Sequence, residues 1–221
     1  MQQWLQLLID IFYPNKCLHC GCQIKDNALL CPSCRQALLA VRFLYPQSYE
    51  CEHLTGICFF YHYEGGIKKA LHKIKFQRKK AFLPRTAEEL IQVEALNILR
   101  ETWNLPSKFL VVPIAGDKER REQRGYDMSE AIFNFWRHEP DCQWCEALER
   151  IKPTLPQYGL KRQERRINVK NCFRVQVDVS RKDIFLVDDI FTSGATMEEA
   201  AKALKRAGAR RIWAVTFAGG A

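Results

Sequence analysis

The sequence lacks any uninterrupted apolar stretch long enough to cross a bilayer, since a spanning helix needs about 20 such residues. Its first residues, MQQWLQLLIDIF, carry no positive charge ahead of the apolar run, and Gln6 and Asp10 interrupt that run. These absences argue against a membrane span and against an export signal. We therefore expect a cytoplasmic protein whose ten cysteines serve as thiolates or buried thiols rather than as disulfides.

Internal repeats and low-complexity tracts are also absent, which excludes a repeat architecture. What the sequence does contain is typical of a folded globular protein: 221 residues, of which 47% are hydrophobic and 27% charged. This length accommodates one ordinary domain and a small appendage. The net charge of +9 favours polyanionic partners such as nucleic acid, phosphorylated metabolites or an acidic membrane surface.

Short apolar runs alternate with amphipathic stretches through most of the chain. The runs FLVVPI (109–114), IFLVDD (184–189) and IWAVTF (212–217) have the length and composition of buried strands. Helical spacing of apolar residues follows at 128–137 and 197–207. Strands that alternate with helices predict an α/β fold with a mostly parallel sheet and helices on both faces.

The chain before this alternation is organised differently. Apolar residues at helical spacing predict an amphipathic helix over 3–12, and a second helix is predicted over 36–43, after a cysteine-rich stretch. A linker around Pro46 then separates two predicted domains. Residues 1–45 would hold the first helix and the cysteine-rich module, and residues 46–221 would form the sheet-containing domain.

Two Cys-x2-Cys pairs stand ten residues apart, at Cys17, Cys20, Cys31 and Cys34. Each pair can place two thiolates on one ion, and together they complete a tetrahedral zinc site. Four protein ligands leave no open position, so the predicted role of the Zn²⁺ is structural. His19 or Cys22 could replace one of the four ligands. A segment of this size has too few apolar side chains to fold without such a staple.

The segment IFLVDDIFTSGAT, from Ile184 to Thr196, combines the features of a sugar-phosphate site. Asp188 and Asp189 end a predicted strand, where a carboxylate can accept hydrogen bonds from ribose hydroxyls or hold hydrated Mg²⁺. A turn rich in hydroxyl groups and glycine then leads into a helix, whose free N–H groups attract phosphate. Separately, these residues could simply end a strand and cap a helix. Their combination in this order favours ligand binding.

VDDIFTSGAT resembles the 5-phosphoribosyl-1-diphosphate motif of type I phosphoribosyltransferases. The whole chain resembles the ComF family of competence proteins, in which a cysteine-rich zinc module precedes a phosphoribosyltransferase-like domain. This resemblance rests on CLHC…CPSC, YHYEGGIKKALHKIKF, VVPIAGDKERREQRGYD, LERIKPTLPQYGLKRQERRINVKNCF and the Asp-Asp motif followed by GARRIWAVTFA. It implies a type I phosphoribosyltransferase-like fold and a phosphoribosyl diphosphate ligand bound with Mg²⁺.

The resemblance also assigns roles to residues. The ribose hydroxyls would meet Asp188 and Asp189. The 5-phosphate would be cradled by Thr192, Ser193, Gly194, Ala195 and Thr196. The diphosphate would meet the loop formed by Ala115, Gly116, Asp117 and Lys118. A mobile loop over the diphosphate would contribute Arg150, Lys152, Arg162 and Arg166. Two departures stand out: Ala115 replaces a proline usual in the family, and Asp127 with Met128 replaces two amides.

Two functions follow as expectations. The ComF resemblance implies a competence protein of natural transformation and DNA uptake that contacts single-stranded DNA, with competence or recombination proteins as possible partners. Exposed aromatic rings could then stack on bases, with candidates at Phe59, Phe60, Tyr61, Phe76 and Tyr158, although CFFYHY equally fits a core strand. The alternative is an active phosphoribosyltransferase of nucleotide metabolism or salvage, for which the sequence shows no acceptor site.

Overall fold

The computed structural model describes residues 15–24, 28–76, 93–155 and 159–220, and the predicted helix over 3–12 lies outside them. Eight strands are described in chain order: β1 (Leu39–Leu44), β2 (Gly56–His62), β3 (Phe109–Pro113), β4 (Cys142–Trp144), β5 (Leu148–Arg150), β6 (Phe173–Val175), β7 (Asp183–Phe191) and β8 (Arg211–Gly219). Seven α-helices are described: α1 (Pro32–Leu38), α2 (Gly65–Phe76), α3 (Val93–Trp103), α4 (Lys118–Arg124), α5 (Met128–Phe133), α6 (Arg162–Val169) and α7 (Ala195–Arg206).

Six of these strands form one sheet in the order β1-β2-β8-β7-β3-β4. Every neighbouring pair from β2 to β4 is parallel, and only the edge strand β1 runs antiparallel to its neighbour β2. The strands β5 and β6 form a separate antiparallel pair. The predicted α/β class with a mostly parallel sheet is confirmed.

Alternate residues of the central strand β7 pack into two different hydrophobic layers. Phe185 and Val187 lie in one layer, which also contains Ile67 of α2. Ile184 and Leu186 lie in the other layer, with much of α7. Because both faces of β7 are covered, its sequence is continuously apolar rather than alternating with polar residues.

The predicted helix over 36–43 is wrong. A helix does form, but it occupies Pro32–Leu38, and the chain then continues as strand β1 over Leu39–Leu44. Pro32 suits the first helical turn because its missing N–H needs no partner there. The following residues pair with β2, with Arg42 opposite Phe59.

The segment Leu39–Leu44 thus adds an edge strand to the main sheet. Cys17, Leu29 and Leu30 from the cysteine-rich segment also belong to the hydrophobic layer that contains α2. The division of the chain at residues 45 and 46 stays a prediction. What the structure adds is a shared core across that position.

The predicted helix over 128–137 is shorter than expected. It ends at Phe133 and passes into a 3-10 turn over Asn134–His138, in which Trp136 is buried. Among the described helices, none combines the length and the apolar character that a bilayer span requires.

Candidate functional site

The carboxyl ends of β3 and β7 lie side by side at one edge of the sheet, where Pro113 is in register with Val187. The backbone N–H of Ile114 donates to the Val187 carbonyl at 2.9 Å, so the loop that follows β3 starts beside the Asp-Asp pair. This is the edge at which parallel α/β sheets bind ligands. The structure therefore brings the predicted diphosphate loop next to the predicted ribose-binding carboxylates.

Asp188 is enclosed by polar partners. Its Oδ1 accepts from the Ser129 hydroxyl at 2.8 Å and from the Asp189 backbone N–H at 2.8 Å. Burial, together with the neighbouring Asp189 charge, raises the pKa of Asp188 to about 8. The carboxyl group of Asp188 therefore binds its proton more tightly than an exposed carboxyl group does.

Asp189 is paired with a cation instead. Its Oδ2 lies 2.6 Å from Nζ of Lys75 on helix α2, and both side chains are largely buried. Burial by itself lowers the pKa of Lys75, but the charges of Asp189 and Asp188 outweigh that effect, and the pKa is raised overall. Lys75 therefore stays protonated and neutralises one of the two adjacent carboxylates.

Asp127 occupies a position where the ComF resemblance predicts an amide. Its Oδ2 accepts from the Gly116 backbone N–H at 2.8 Å, and its Oδ1 accepts from the Ser129 backbone N–H at 3.0 Å. Burial raises the pKa of Asp127, although these hydrogen bonds oppose the shift. Asp127 thus caps helix α5 and holds the loop after β3 with one carboxylate.

Gly116 has no room for a side chain beside this carboxylate. A Cβ atom at this position would lie 2.4 Å from Asp127 Oδ2. The glycine therefore allows the loop to approach Asp127 closely.

The turn after β7 begins later than the sequence predicts, because the strand continues to Phe191. Gly194 then adopts a left-handed conformation with φ of 76° and precedes the first residue of helix α7. A Cβ atom there would lie 2.7 Å from Cys51 Sγ, so glycine is required both by conformation and by space. The Ser193 hydroxyl oxygen is buried and has no hydrogen-bond partner among the described residues.

Arg165 reaches this turn from helix α6. Its Nη1 donates to Thr192 Oγ1 at 3.0 Å, and its Nε donates to the Leu160 carbonyl at 3.0 Å. Sequence reasoning missed Arg165, together with Lys75 and Ser129. The signal was present for Arg165, since it stands in the basic stretch RQERR, but nothing in that stretch distinguishes its three arginines.

The four candidates of the predicted mobile loop separate into different environments. Arg150 donates from Nε to the Ala115 carbonyl at 3.0 Å and therefore contacts the predicted diphosphate loop. Arg162 and Arg166 instead form ion pairs with Glu50 at 3.4 and 3.2 Å. Lys152 is exposed. Only Arg150 of these four is shown in contact with the loop after β3.

The second candidate site is the group of four cysteines predicted to bind zinc. The Sγ atoms of Cys17, Cys20, Cys31 and Cys34 all lie within 4.8 Å of one another. Those of Cys20 and Cys31 are 3.8 Å apart. A tetrahedron with Zn–S bonds of about 2.3 Å has S–S edges of about 3.8 Å. The described sulfur atoms therefore fit a tetrahedral metal ion.

The two alternative zinc ligands, Cys22 and His19, are not among the four clustered cysteines. The Cys22 thiol interacts with those of Cys20 and Cys31, but its sulfur does not belong to the group of four. His19 packs against the start of α2, where a Cβ atom on Gly66 would lie 2.6 Å from the His19 Cβ. The glycine thus lets the cysteine-rich segment approach helix α2 closely.

The aromatic residues of β2 do not offer stacking faces. Phe59, Phe60 and Tyr61 are at most 3% exposed, so the reading of CFFYHY as a core strand is correct. Tyr158 lies outside the described residues. Among the described aromatic residues, Tyr45 is the most exposed, at 80%.

Comparison with known proteins identifies relatives of this chain. Residues 156–221 match the family described as the phosphoribosyl transferase domain. DNA utilization protein YhgH of Escherichia coli O157:H7 is 32% identical over 155 residues, which make up 68% of this chain and 66% of that protein. DNA utilization protein YhgH of Salmonella typhimurium is 28% identical over 89% of this chain and 86% of that protein.

A third relative carries the competence name directly. Competence protein F of Haemophilus influenzae is 26% identical over 202 residues, covering 89% of this chain and 81% of that protein. The predicted resemblance to the ComF family is confirmed by these homologues.

Proposed function

Since the chain is a homologue of Competence protein F and of DNA utilization protein YhgH and carries a phosphoribosyl transferase domain, we propose that it is a cytoplasmic competence protein. In this proposal it takes part in natural transformation and DNA uptake. It binds phosphoribosyl diphosphate with Mg²⁺ at the carboxyl edge of its sheet, and it contacts single-stranded DNA. Competence or recombination proteins are its proposed protein partners.

The observation that supports this ligand is that acidic side chains and a phosphate-binding type of turn lie together at one edge of the sheet. Asp188 and Asp189 supply acceptors for ribose hydroxyls, while the adjoining turn presents hydroxyl groups and the N-terminus of α7. A molecule that carries both hydroxyl groups and phosphate satisfies both halves. Arg150 and the loop Ala115–Lys118 lie at the same edge and would meet the diphosphate.

Each proposed metal ion has protein atoms that suit it. Mg²⁺ prefers one or two carboxylates together with substrate phosphates. Asp189 would supply a carboxylate, and the diphosphate would supply the phosphate oxygens. Zn²⁺ would be held by the four cysteine thiolates, whose spacing matches tetrahedral coordination. Bound Mg²⁺ would offset the negative charge of the diphosphate. Bound Zn²⁺ would stabilise the cysteine-rich segment.

Calorimetric titration with phosphoribosyl diphosphate and Mg²⁺ tests the pocket. We expect the wild-type protein to bind and the double variant Asp188→Ala, Asp189→Ala to lose binding. Asp178→Ala serves as the control, because Asp178 is an exposed carboxylate that accepts from the Ser180 N–H in a different loop. Unchanged affinity in the double variant would overturn the pocket assignment. If the phosphoribosyl diphosphate is labelled, the same samples also show whether diphosphate is released.

The proposed DNA contact rests on the net charge of +9 and on the names of the relatives. Contacts with phosphates make affinity fall steeply with salt, because bound counterions are released. We expect single-stranded DNA to bind at about 50 mM salt and to lose about 10³-fold or more in affinity by 200 mM. An absence of binding at low salt would remove this part of the proposal while leaving the sugar-phosphate pocket intact.

A further inference from the structure

Helix α6 directs its arginines to two different places. Arg162 and Arg166 both reach Glu50, and Arg166 also donates to the Tyr49 carbonyl at 2.5 Å. Arg165 points to the turn after β7, where it donates to the Thr192 hydroxyl. Arg162 and Arg166 thus contact the segment of Tyr49 and Glu50, whereas Arg165 contacts the turn after β7.

The turn that Arg165 reaches has the features of an anion site. Helix α7 spans 12 residues and begins directly after Gly194, which adopts the left-handed conformation. The buried Ser193 hydroxyl oxygen lies in the same turn without a hydrogen-bond partner among the described residues. A buried hydroxyl of this kind carries a free-energy cost unless a ligand or water completes it.

The guanidinium of Arg165 is held in a fixed orientation. Nε is occupied by the Leu160 carbonyl, and Nη1 by Thr192 Oγ1. A planar guanidinium fixed in this way is well suited to a phosphate oxygen, since it presents further N–H groups in a rigid fork. Arg165 is also half-buried, which strengthens its interaction with an anion relative to an exposed lysine.

We propose that Arg165 is a specificity-determining residue of the 5-phosphate site, where it selects a dianionic phosphate over a monoanionic group. The inference rests on the proposed function, because it refines the phosphate half of the same pocket. It assigns to α6 a role that the helix N-terminus does not fulfil alone: a full positive charge beside the phosphate.

Ribose 5-phosphate and ribose 5-sulfate separate this role from general anion binding. They share a sugar and differ in charge, since the phosphate is close to a dianion at pH 8 whereas the sulfate is a monoanion. Calorimetric titration measures both affinities for the wild-type protein and for Arg165→Gln, Arg165→Lys and Arg162→Gln. Arg162 is the matched control, because it lies on the same helix and pairs with Glu50.

We expect Arg165→Gln to weaken ribose 5-phosphate binding by about 10- to 100-fold, as for the loss of a hydrogen bond to a charged group. Ribose 5-sulfate should be affected less, so the preference for phosphate should fall. Arg165→Lys should keep part of that preference because it keeps the charge, and Arg162→Gln should keep all of it. Far-UV circular dichroism and melting temperatures check that each variant is folded.

Two results would overturn the inference, and only the second would also overturn the proposed ligand. If Arg165→Gln retains the wild-type affinity and preference, Arg165 is not a phosphate ligand, and the proposed pocket survives. If the wild-type protein binds neither ribose 5-phosphate nor phosphoribosyl diphosphate, both the inference and the proposed ligand fail.

Discussion

Lys75 Nζ lies 2.6 Å from Asp189 Oδ2, and this contact joins helix α2 to the end of strand β7. The two residues are far apart in sequence, and α2 follows β2, which is separated from β7 by β8 in the sheet. The pair neutralises one carboxylate of an adjacent Asp-Asp pair. It therefore allows two acidic groups to remain side by side in a largely buried position.

Replacing Lys75 by Met should destabilise the protein more at high pH than at low pH. At pH 9 Asp188 is largely ionised, so the loss of the Lys75 charge leaves two adjacent carboxylates without a cation. At pH 5 Asp188 is neutral, and the loss should be smaller. We expect the free energy of unfolding at pH 9 to fall by about 1–3 kcal/mol, as measured by urea denaturation.

Lys69→Met is the matched control for that measurement. Lys69 lies on the same helix but is exposed, so its replacement should change stability by less than about 0.5 kcal/mol at either pH. An equal loss at pH 5 and pH 9 for Lys75→Met would show that the side chain contributes packing rather than charge neutralisation.

Replacing Asp188 by Asn should stabilise the protein at alkaline pH. The folded pKa of about 8 lies above the ordinary 3.8, so the folded state binds the proton more tightly than the unfolded chain. Its contribution to stability is greatest below pH 4 and is lost as the pH rises to 8. Asn keeps an acceptor for Ser129 and cannot ionise. We expect a gain of about 1–3 kcal/mol at pH 9 and little change near pH 4, measured by urea denaturation.

Asp178→Asn serves as a comparison, because it should destabilise the protein at alkaline pH rather than stabilise it. The Ser180 backbone N–H, which donates at 2.9 Å, lowers the pKa of Asp178. Its contribution is therefore present above the ordinary pKa and is lost as the pH falls through the lowered value. If Asp188→Asn gave the same change in stability at pH 4 and pH 9, the raised pKa of Asp188 would be contradicted.

The central strands were predictable because their burial is visible in the sequence. A parallel strand covered on both faces is continuously apolar, as FLVVPI, IFLVDD and IWAVTF are. The edge strand β1 was not predictable in this way. It is mostly half-exposed, its residues fit a helical pattern equally well, and only its pairing with β2 decides its conformation.

In the candidate site too, residues that are neighbours in the sequence were predictable, whereas residues brought in from distant parts of the chain were not. Asp188, Asp189 and the turn after them follow one another in the chain, so their chemistry could be read together. Lys75 and Arg165 join them only through helix packing. Of the three neighbouring arginines on α6, two contact Glu50, which lies outside the motif, and only the folded structure shows that Arg165 reaches the turn.

Replacing Cys17 by Ser should remove a bound zinc ion and lower the melting temperature of the whole chain. Cys17 lies in the same hydrophobic layer as Ile67 and Leu71 of α2, so loss of the metal disturbs the shared core. We expect zinc content, measured by native mass spectrometry, to fall from one ion per chain toward none. The Tm should fall by about 10 °C, which corresponds to about 3–4 kcal/mol in a chain of this size.

Cys22→Ser is the control for zinc binding. The Cys22 sulfur lies outside the group of four, so this variant should keep one zinc ion and the wild-type Tm. Loss of zinc in Cys22→Ser, with retention in Cys17→Ser, would reassign the ligand set.

Replacing Gly194 by Ala should damage both stability and ligand binding. The left-handed backbone at φ of 76° is costly for alanine, and the new Cβ would lie 2.7 Å from Cys51 Sγ. Gly159→Ala isolates the backbone part, since Gly159 has φ of 85° but no described atom within 4 Å of an added Cβ. We expect urea denaturation to show a loss of about 2–4 kcal/mol for Gly194→Ala and about 1 kcal/mol for Gly159→Ala.

Adding Cys51→Ala to Gly194→Ala should recover part of the larger loss, because it removes the sulfur that the new methyl group meets. Equal losses of stability at the two glycines would mean that the turn after β7 can shift to make room for the added methyl group. The close packing of Gly194 against Cys51 would then not be needed for stability.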